Sequence, residues 1–205
     1  MAIKAVIFDL NGVFIVSRSL SERFEEKYGV PEVKFIPALK DVMAKARMPG
    51  ARPIFSYWAP YFAGWKVSLT ADQFFDFWFR GESMAETEMI NIARKLKGEG
   101  MKLFILSNNF RERSAHYDIA FPFLKELFNE CYYSWQTGFV KPDTCAFQKI
   151  FTDHHLKPDE CLYFDDRKEN IIAAKSLGIY AYFFNGADDV REKLGEHGFR
   201  VDVIA

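Results

Sequence analysis

The amino-acid sequence predicts an α/β fold: a doubly wound, Rossmann-like parallel-sheet core with an inserted helical cap. Three observations carry that expectation. Short apolar runs rich in β-branched and aromatic residues recur, each closed by polar residues, as strands buried on both faces require. Helix-length segments separate them, and alternation of this kind builds parallel layers. One further stretch of some seventy residues, after the first run, shows helical patterning without a strand-like run, too long for a simple crossover. The expected division is residues 1–15 and 88–205 for the core and 16–87 for the cap.

The first run, Ile3 to Leu10 (IKAVIFDL), ends at Asn11 and Gly12 and reads as a buried parallel strand. In the long stretch that follows, helices are expected around Ser21 to Tyr28, Val33 to Arg47 and Asp72 to Phe79, with Thr70 and Gln73 forming a capping box for the last. Pro49, Gly50, Pro53 and Pro60 suggest that part of it is an ordered loop. The segment from Phe55 to Phe79 is crowded with aromatic residues, among them Trp58, Phe62, Trp65 and Trp78. A small helical core is their commonest use; an apolar wall over the site or a homodimer interface are the alternatives. Helices are then expected over Glu88 to Gly98, Cys145 to His155 and Glu169 to Leu177, with Gly100 and Gly178 at C-terminal stops. Further strands are expected in MKLFILSNN, CLYFDD and AYFFN.

Composition narrows the partners. With 27 basic against 28 acidic side chains, the chain lacks the cationic excess of nucleic-acid binders, and an anionic membrane surface is equally unsuited. No run of about 18 uncharged apolar residues offers a membrane span, and the amino-terminal run is broken by Asp9 and Asn11 without a signal-cleavage pattern. A cytoplasmic protein with a small-molecule partner is the expectation. Cys131, Cys145 and Cys161 have no metal-ligand spacing and read as reduced packing residues. The His154-His155 pair reads as a solvated helix end.

Ligands of open parallel sheets bind beyond the carboxyl ends of the strands. Those ends carry Asp9-Leu10-Asn11-Gly12, Ser107-Asn108-Asn109 and Asp165-Asp166, with Lys141-Pro142-Asp143 between the last two. Three gathered carboxylates repel one another unless a cation neutralises them, so the set points to a hard, oxygen-ligated ion, Mg²⁺ by type. A cation with a lysine and a hydroxyl suits a tetrahedral anion such as phosphate.

At these residues the chain resembles the haloacid dehalogenase-like hydrolase superfamily, of the helical-cap phosphatase type. FDLNGV, LSNN, VKPD and YFDDRKEN stand in order where that superfamily has its four motifs, and the resemblance spans nearly the whole chain. Each stretch alone is weakly specific; the four in order are strong. The resemblance implies that Asp9 is the nucleophile, forming an aspartyl-phosphate, and that Asp9, Asp166 and the Asn11 carbonyl ligate Mg²⁺. It places Asp165 and Asn170 in the outer shell. Ser107, Asn108 and Lys141 are implied to hold a small phosphorylated substrate, with Lys141 neutralising the transferring group.

Asn11 departs from the pattern. Phosphatases of this superfamily usually have aspartate there as general acid and base, and an amide performs neither role, a loss of about 10² to 10⁴ in rate. The expected activity is therefore Mg²⁺-dependent phosphate-ester hydrolysis with a weakened proton-transfer step. Two alternatives stand beside it: 2-haloacid dehalogenation, against which the Asp165-Asp166 pair argues, and a catalytically weak phosphate-binding or regulatory protein.

Overall fold

A computed structural model describes residues 2–201 of the 205-residue chain. Strand β1 (Ala5–Phe8) leads into a two-residue strand β2 (Ile15–Val16). Four helices follow: α1 (Leu20–Tyr28), α2 (Glu32–Ala46), α3 (Phe55–Trp65) and α4 (Ala71–Arg80). The short β3 (Met84–Ala85) pairs antiparallel with β2, closing the neck of this helical insertion. Next come α5 (Thr87–Gly98), β4 (Lys102–Ser107), α6 (Arg111–Ala120), α7 (Phe123–Leu127), β5 (Glu130–Tyr133) and α8 (Ser134–Thr137). The remainder alternates α9 (Cys145–His154), β6 (Cys161–Asp165), α10 (Lys168–Ser176), β7 (Tyr180–Phe183) and α11 (Ala187–Glu196).

The main sheet runs β5-β4-β1-β6-β7, with every pairing parallel. Period-two alternation sends successive side chains to opposite faces, and both faces are apolar. Val6, Phe8, Leu103, Ile105, Leu162 and Phe164 pack into one core with α5, α7 and α11. Ala5, Ile7, Phe104, Leu106 and Tyr163 pack into the other with α9 and α10. The insertion has a separate core in which Phe24, Phe35, Trp58, Phe62 and Phe74 interlock, with Phe110 reaching in from the start of α6. Phe24 and Phe62 stack at 5.6 Å, and Phe35 and Trp58 at 5.0 Å.

Several local expectations change. The stretch between Asn11 and Thr87 does contain strands, β2 and β3, but two residues each are too short to leave a periodic signature. Strand β5 and helices α6 and α11 lie outside the expected elements. Pro60, expected to mark a loop, sits inside α3. An interior proline costs a helix about 3 kcal/mol, a penalty that burial of Trp58 and Phe62 on either side can offset. The expected capping box is present, Thr70 Oγ1 accepting from the Gln73 amide and Gln73 Oε1 from the Thr70 amide. His154 is not a free solvated end: its ring packs 4.3 Å from that of Phe104 and meets the Tyr132 hydroxyl at 3.0 Å.

Candidate active site

Strand order reverses at β1, whose neighbours β4 and β6 come from opposite halves of the core, and the carboxyl ends of these three strands meet beneath the insertion. Asp9 follows β1, Ser107 ends β4, Asp165 ends β6 with Asp166 next, and Lys141 comes in from the loop before α9. One cavity of about 960 Å³ is lined by Asp9, Asn11, Ser107, Asn108, Lys141, Asp166 and Asn170 together with residues of the insertion.

Asp9 is 7% exposed. Its Oδ1 accepts from the Leu10 amide at 2.7 Å and pairs with Lys141 Nζ at 2.9 Å, while Oδ2 has no hydrogen-bond partner among the described residues. Burial pushes the Asp9 carboxyl up to about 6; Lys141 opposes the rise and the charge of Asp165 adds to it. The carboxylates of Asp9, Asp165 and Asp166 offer oxygens within 4.8 Å of one another, a spacing that could hold a metal ion. Burial, then repulsion from Asp165, also raises Asp166.

Asp165 has a different environment from Asp166. It is fully buried and accepts from Lys141 Nζ at 2.7 Å, Asn170 Nδ2 at 2.9 Å, the Arg167 amide at 2.8 Å and the Tyr163 hydroxyl. So many donors make it the anchor that points Lys141 at Asp9, and Asn170 in turn fixes Asp165. Asn108 holds the same lysine from behind: its side chain donates to the Lys141 carbonyl and accepts from the Lys141 amide, at 2.8 and 2.9 Å. The Asn108 side chain is therefore committed to Lys141, whereas the Ser107 hydroxyl has no hydrogen-bond partner among the described residues and faces the cavity. Gly12 has φ 85°, and a Cβ there would lie 2.4 Å from Asp166 Oδ2, so the loop after β1 can pass the acidic pair only as glycine.

The arrangement around Asn11 has no counterpart in the sequence reading. Asn11 Nδ2 donates to the Tyr117 hydroxyl at 2.7 Å, which donates to Glu82 Oε2 at 2.8 Å. Glu82, 3% exposed, is clamped by Arg113 through Nε at 2.9 Å and Nη2 at 2.6 Å, and also accepts from Trp78 Nε1. Burial pushes the Tyr117 hydroxyl well above its ordinary range, keeping it protonated. Glu82 lies between α4 and β3, Tyr117 and Arg113 on α6; only tertiary packing brings them to Asn11, and no spacing in the chain announces them.

The sequence profile of the haloacid dehalogenase-like hydrolase family matches residues 6–184. The chain belongs to that family. Bifunctional epoxide hydrolase 2 of Rattus norvegicus is 23% identical over 204 residues, covering 87% of this chain and 36% of the relative. Among solved structures, a haloacid dehalogenase family enzyme from Bacteroides thetaiotaomicron superposes with a TM-score of 0.81 at 22% identity, covering 95% of this chain and 99% of that one. The Bacteroides enzyme has also been solved with magnesium and inorganic phosphate. An L-2-haloacid dehalogenase shares the fold at a TM-score of 0.67 and 17% identity, covering 90% and 87% of the two chains. The chain spans about half or less of the length of the curated relatives it matches. No helix among the described residues is long and apolar enough to cross a membrane.

Proposed function

We propose that this haloacid dehalogenase-like hydrolase is a Mg²⁺-dependent phosphatase of small phosphorylated metabolites, with residues 16–87 acting as a cap over the site. The observation that supports it best is the buried Asp9 held at 2.9 Å by Lys141 inside a cluster of three carboxylates, with the unpartnered Ser107 hydroxyl on the same cavity. The residues fit a divalent ion: one lysine does not balance three acids, and Asp9 and Asp166 are both pushed toward the protonated form without one. Asp9, Asp166 and the Asn11 carbonyl would hold it. When bound it supplies charge neutralisation for the nucleophile and the phosphoryl group.

In this reading an Asp9 oxygen attacks phosphorus, the bond from phosphorus to the leaving oxygen breaks, and an aspartyl-phosphate forms. Lys141, fixed by Asp165 and Asn108, and Ser107 stabilise the phosphoryl oxygens. The Asn11 side chain gives no proton to the leaving oxygen, and its amide is tied to Tyr117, so protonation falls to solvent and alkyl esters turn over slowly. Dehalogenation needs no cation, and the clustered carboxylates count against it. The test is p-nitrophenyl phosphate turnover with and without Mg²⁺, combined with rapid-quench labelling of Asp9. Metal-independent turnover, or activity surviving in Asp9→Asn, would overturn the reading.

A further inference from the structure

The same cavity is lined by further cationic side chains that the phosphoryl chemistry leaves unused. On α2, Phe35, Ala38, Val42 and Ala46 are buried in the core of the insertion, while Ile36, Leu39, Lys40, Met43 and Arg47 line the cavity. Spacings of three and four place these five on one face of the helix, an apolar stripe carrying Lys40 and ending in Arg47. Arg167, just beyond Asp166, lines the cavity from the core side.

The charges lining the cavity divide into two groups. Arg113 is neutralised by Glu82, and Lys141 together with a divalent ion balances Asp9, Asp165 and Asp166. Lys40, Arg47 and Arg167 remain. Arg47 has no carboxylate partner among the described residues, and burial followed by the charge of Arg167 lowers its pKa. Arg167 is felt by the neighbouring Asp166, and its one ion pair among the described residues is an exposed 3.8 Å contact with Glu169. Two guanidinium groups that repel each other across one cavity, one of them half-buried, are stabilised by an anion between them.

We propose that the substrate is a phosphate monoester bearing a second anionic group, a carboxylate or another phosphate, which Arg47 and Arg167 receive while Ile36, Leu39 and Met43 cover the carbon skeleton between the two charges. The proposal rests on the phosphatase reading for the site of transfer, but the cation pair is a property of the cavity whichever bond is broken.

The experiment compares n-propyl phosphate with the same three-carbon ester ending in a carboxylate or in a second phosphate. The wild type should favour the charged tails in kcat/KM, the better of the two identifying the tail. Arg47→Gln should lower that preference by about tenfold to a hundredfold, as expected for a lost charge-assisted contact, with partial recovery in Arg47→Lys. Arg167→Gln should lower it from the other wall. Titration calorimetry of Asp9→Asn with the three esters reads the same selectivity without turnover, so an inactive wild type would count against the phosphatase reading and not against the cation pair. Equal affinity for the three tails, or equal losses for all three esters in Arg47→Gln, would overturn the proposal, the latter placing Arg47 on the transferring phosphate or in the fold.

Discussion

Asp9→Asn should make the metal-free protein more stable, and increasingly so as the pH rises. The side chain keeps its shape, and its oxygen can still accept from the Leu10 amide, so what changes is the buried charge. The Asp9 carboxyl rises from 3.8 to about 6 on folding, chiefly through burial. The folded chain therefore keeps a proton that the unfolded chain releases, and stability present below about pH 4 is lost as the pH climbs through about 6. At about 1.4 kcal/mol per unit, a shift of about two units corresponds to about 3 kcal/mol. Asp166, also raised, contributes with the same sign, and His116, lowered by burial, with the opposite one. Both remain in the variant and largely cancel in the difference. Urea denaturation in EDTA at about pH 4 and pH 7 should show Asp9→Asn gaining 2 to 3 kcal/mol over the wild type between the two. Parallel pH dependence would refute the argument that Asp9 is held charged at an energetic cost.

Adding Mg²⁺ should raise the melting temperature of the wild type, and Asp166→Ala should remove that dependence; calorimetry with and without the ion decides it. Arg113→Ala leaves the buried Glu82 unpaired and should cost about 3 to 5 kcal/mol in denaturant titration, with Glu82→Gln in the same chain recovering part of it. Gly12→Ala forces a Cβ to within 2.4 Å of Asp166 Oδ2 at a positive φ, and should weaken Mg²⁺ affinity measured by titration calorimetry. Asn11→Asp should accelerate alkyl phosphates more than aryl ones, by on the order of 10² if general acid catalysis is the missing step. Because the Tyr117 proton is given to Glu82, aspartate can keep the Tyr117 contact only as the protonated acid, so adding Tyr117→Phe should shift the acid limb of the pH-rate profile. Equal, small gains on both substrate classes would mean that another group already moves the proton.

Much of the core was legible in the chain because a strand buried on both faces must be apolar along its interior, and β1 and the middles of β4 and β6 are. Their polar ends were legible for a related reason: a carboxylate directly after such a run has few structural uses, so Asp9 and the Asp165-Asp166 pair stood out. Strand β5 was missed because it is four residues long and opens on the exposed, charged Glu130 at the sheet edge, where one side of the ladder has no neighbour. Helix α3 was partly hidden by Pro60, since local propensity is a weak guide where Trp58 and Phe62 are buried by contacts from other helices. The difference between Asp165 and Asp166 is equally tertiary. Adjacent and identical in sequence, they are set apart because Lys141, Tyr163 and Asn170 converge on one and leave the other at the cavity wall. The chain by itself determined which residue types reach the carboxyl edge of the sheet, a matter of local period. Only the tertiary structure decided that Asn11 donates to Tyr117 and Tyr117 to Glu82, and that Arg47 and Arg167 line one cavity, because those partners come from separate elements and meet only when the chain folds.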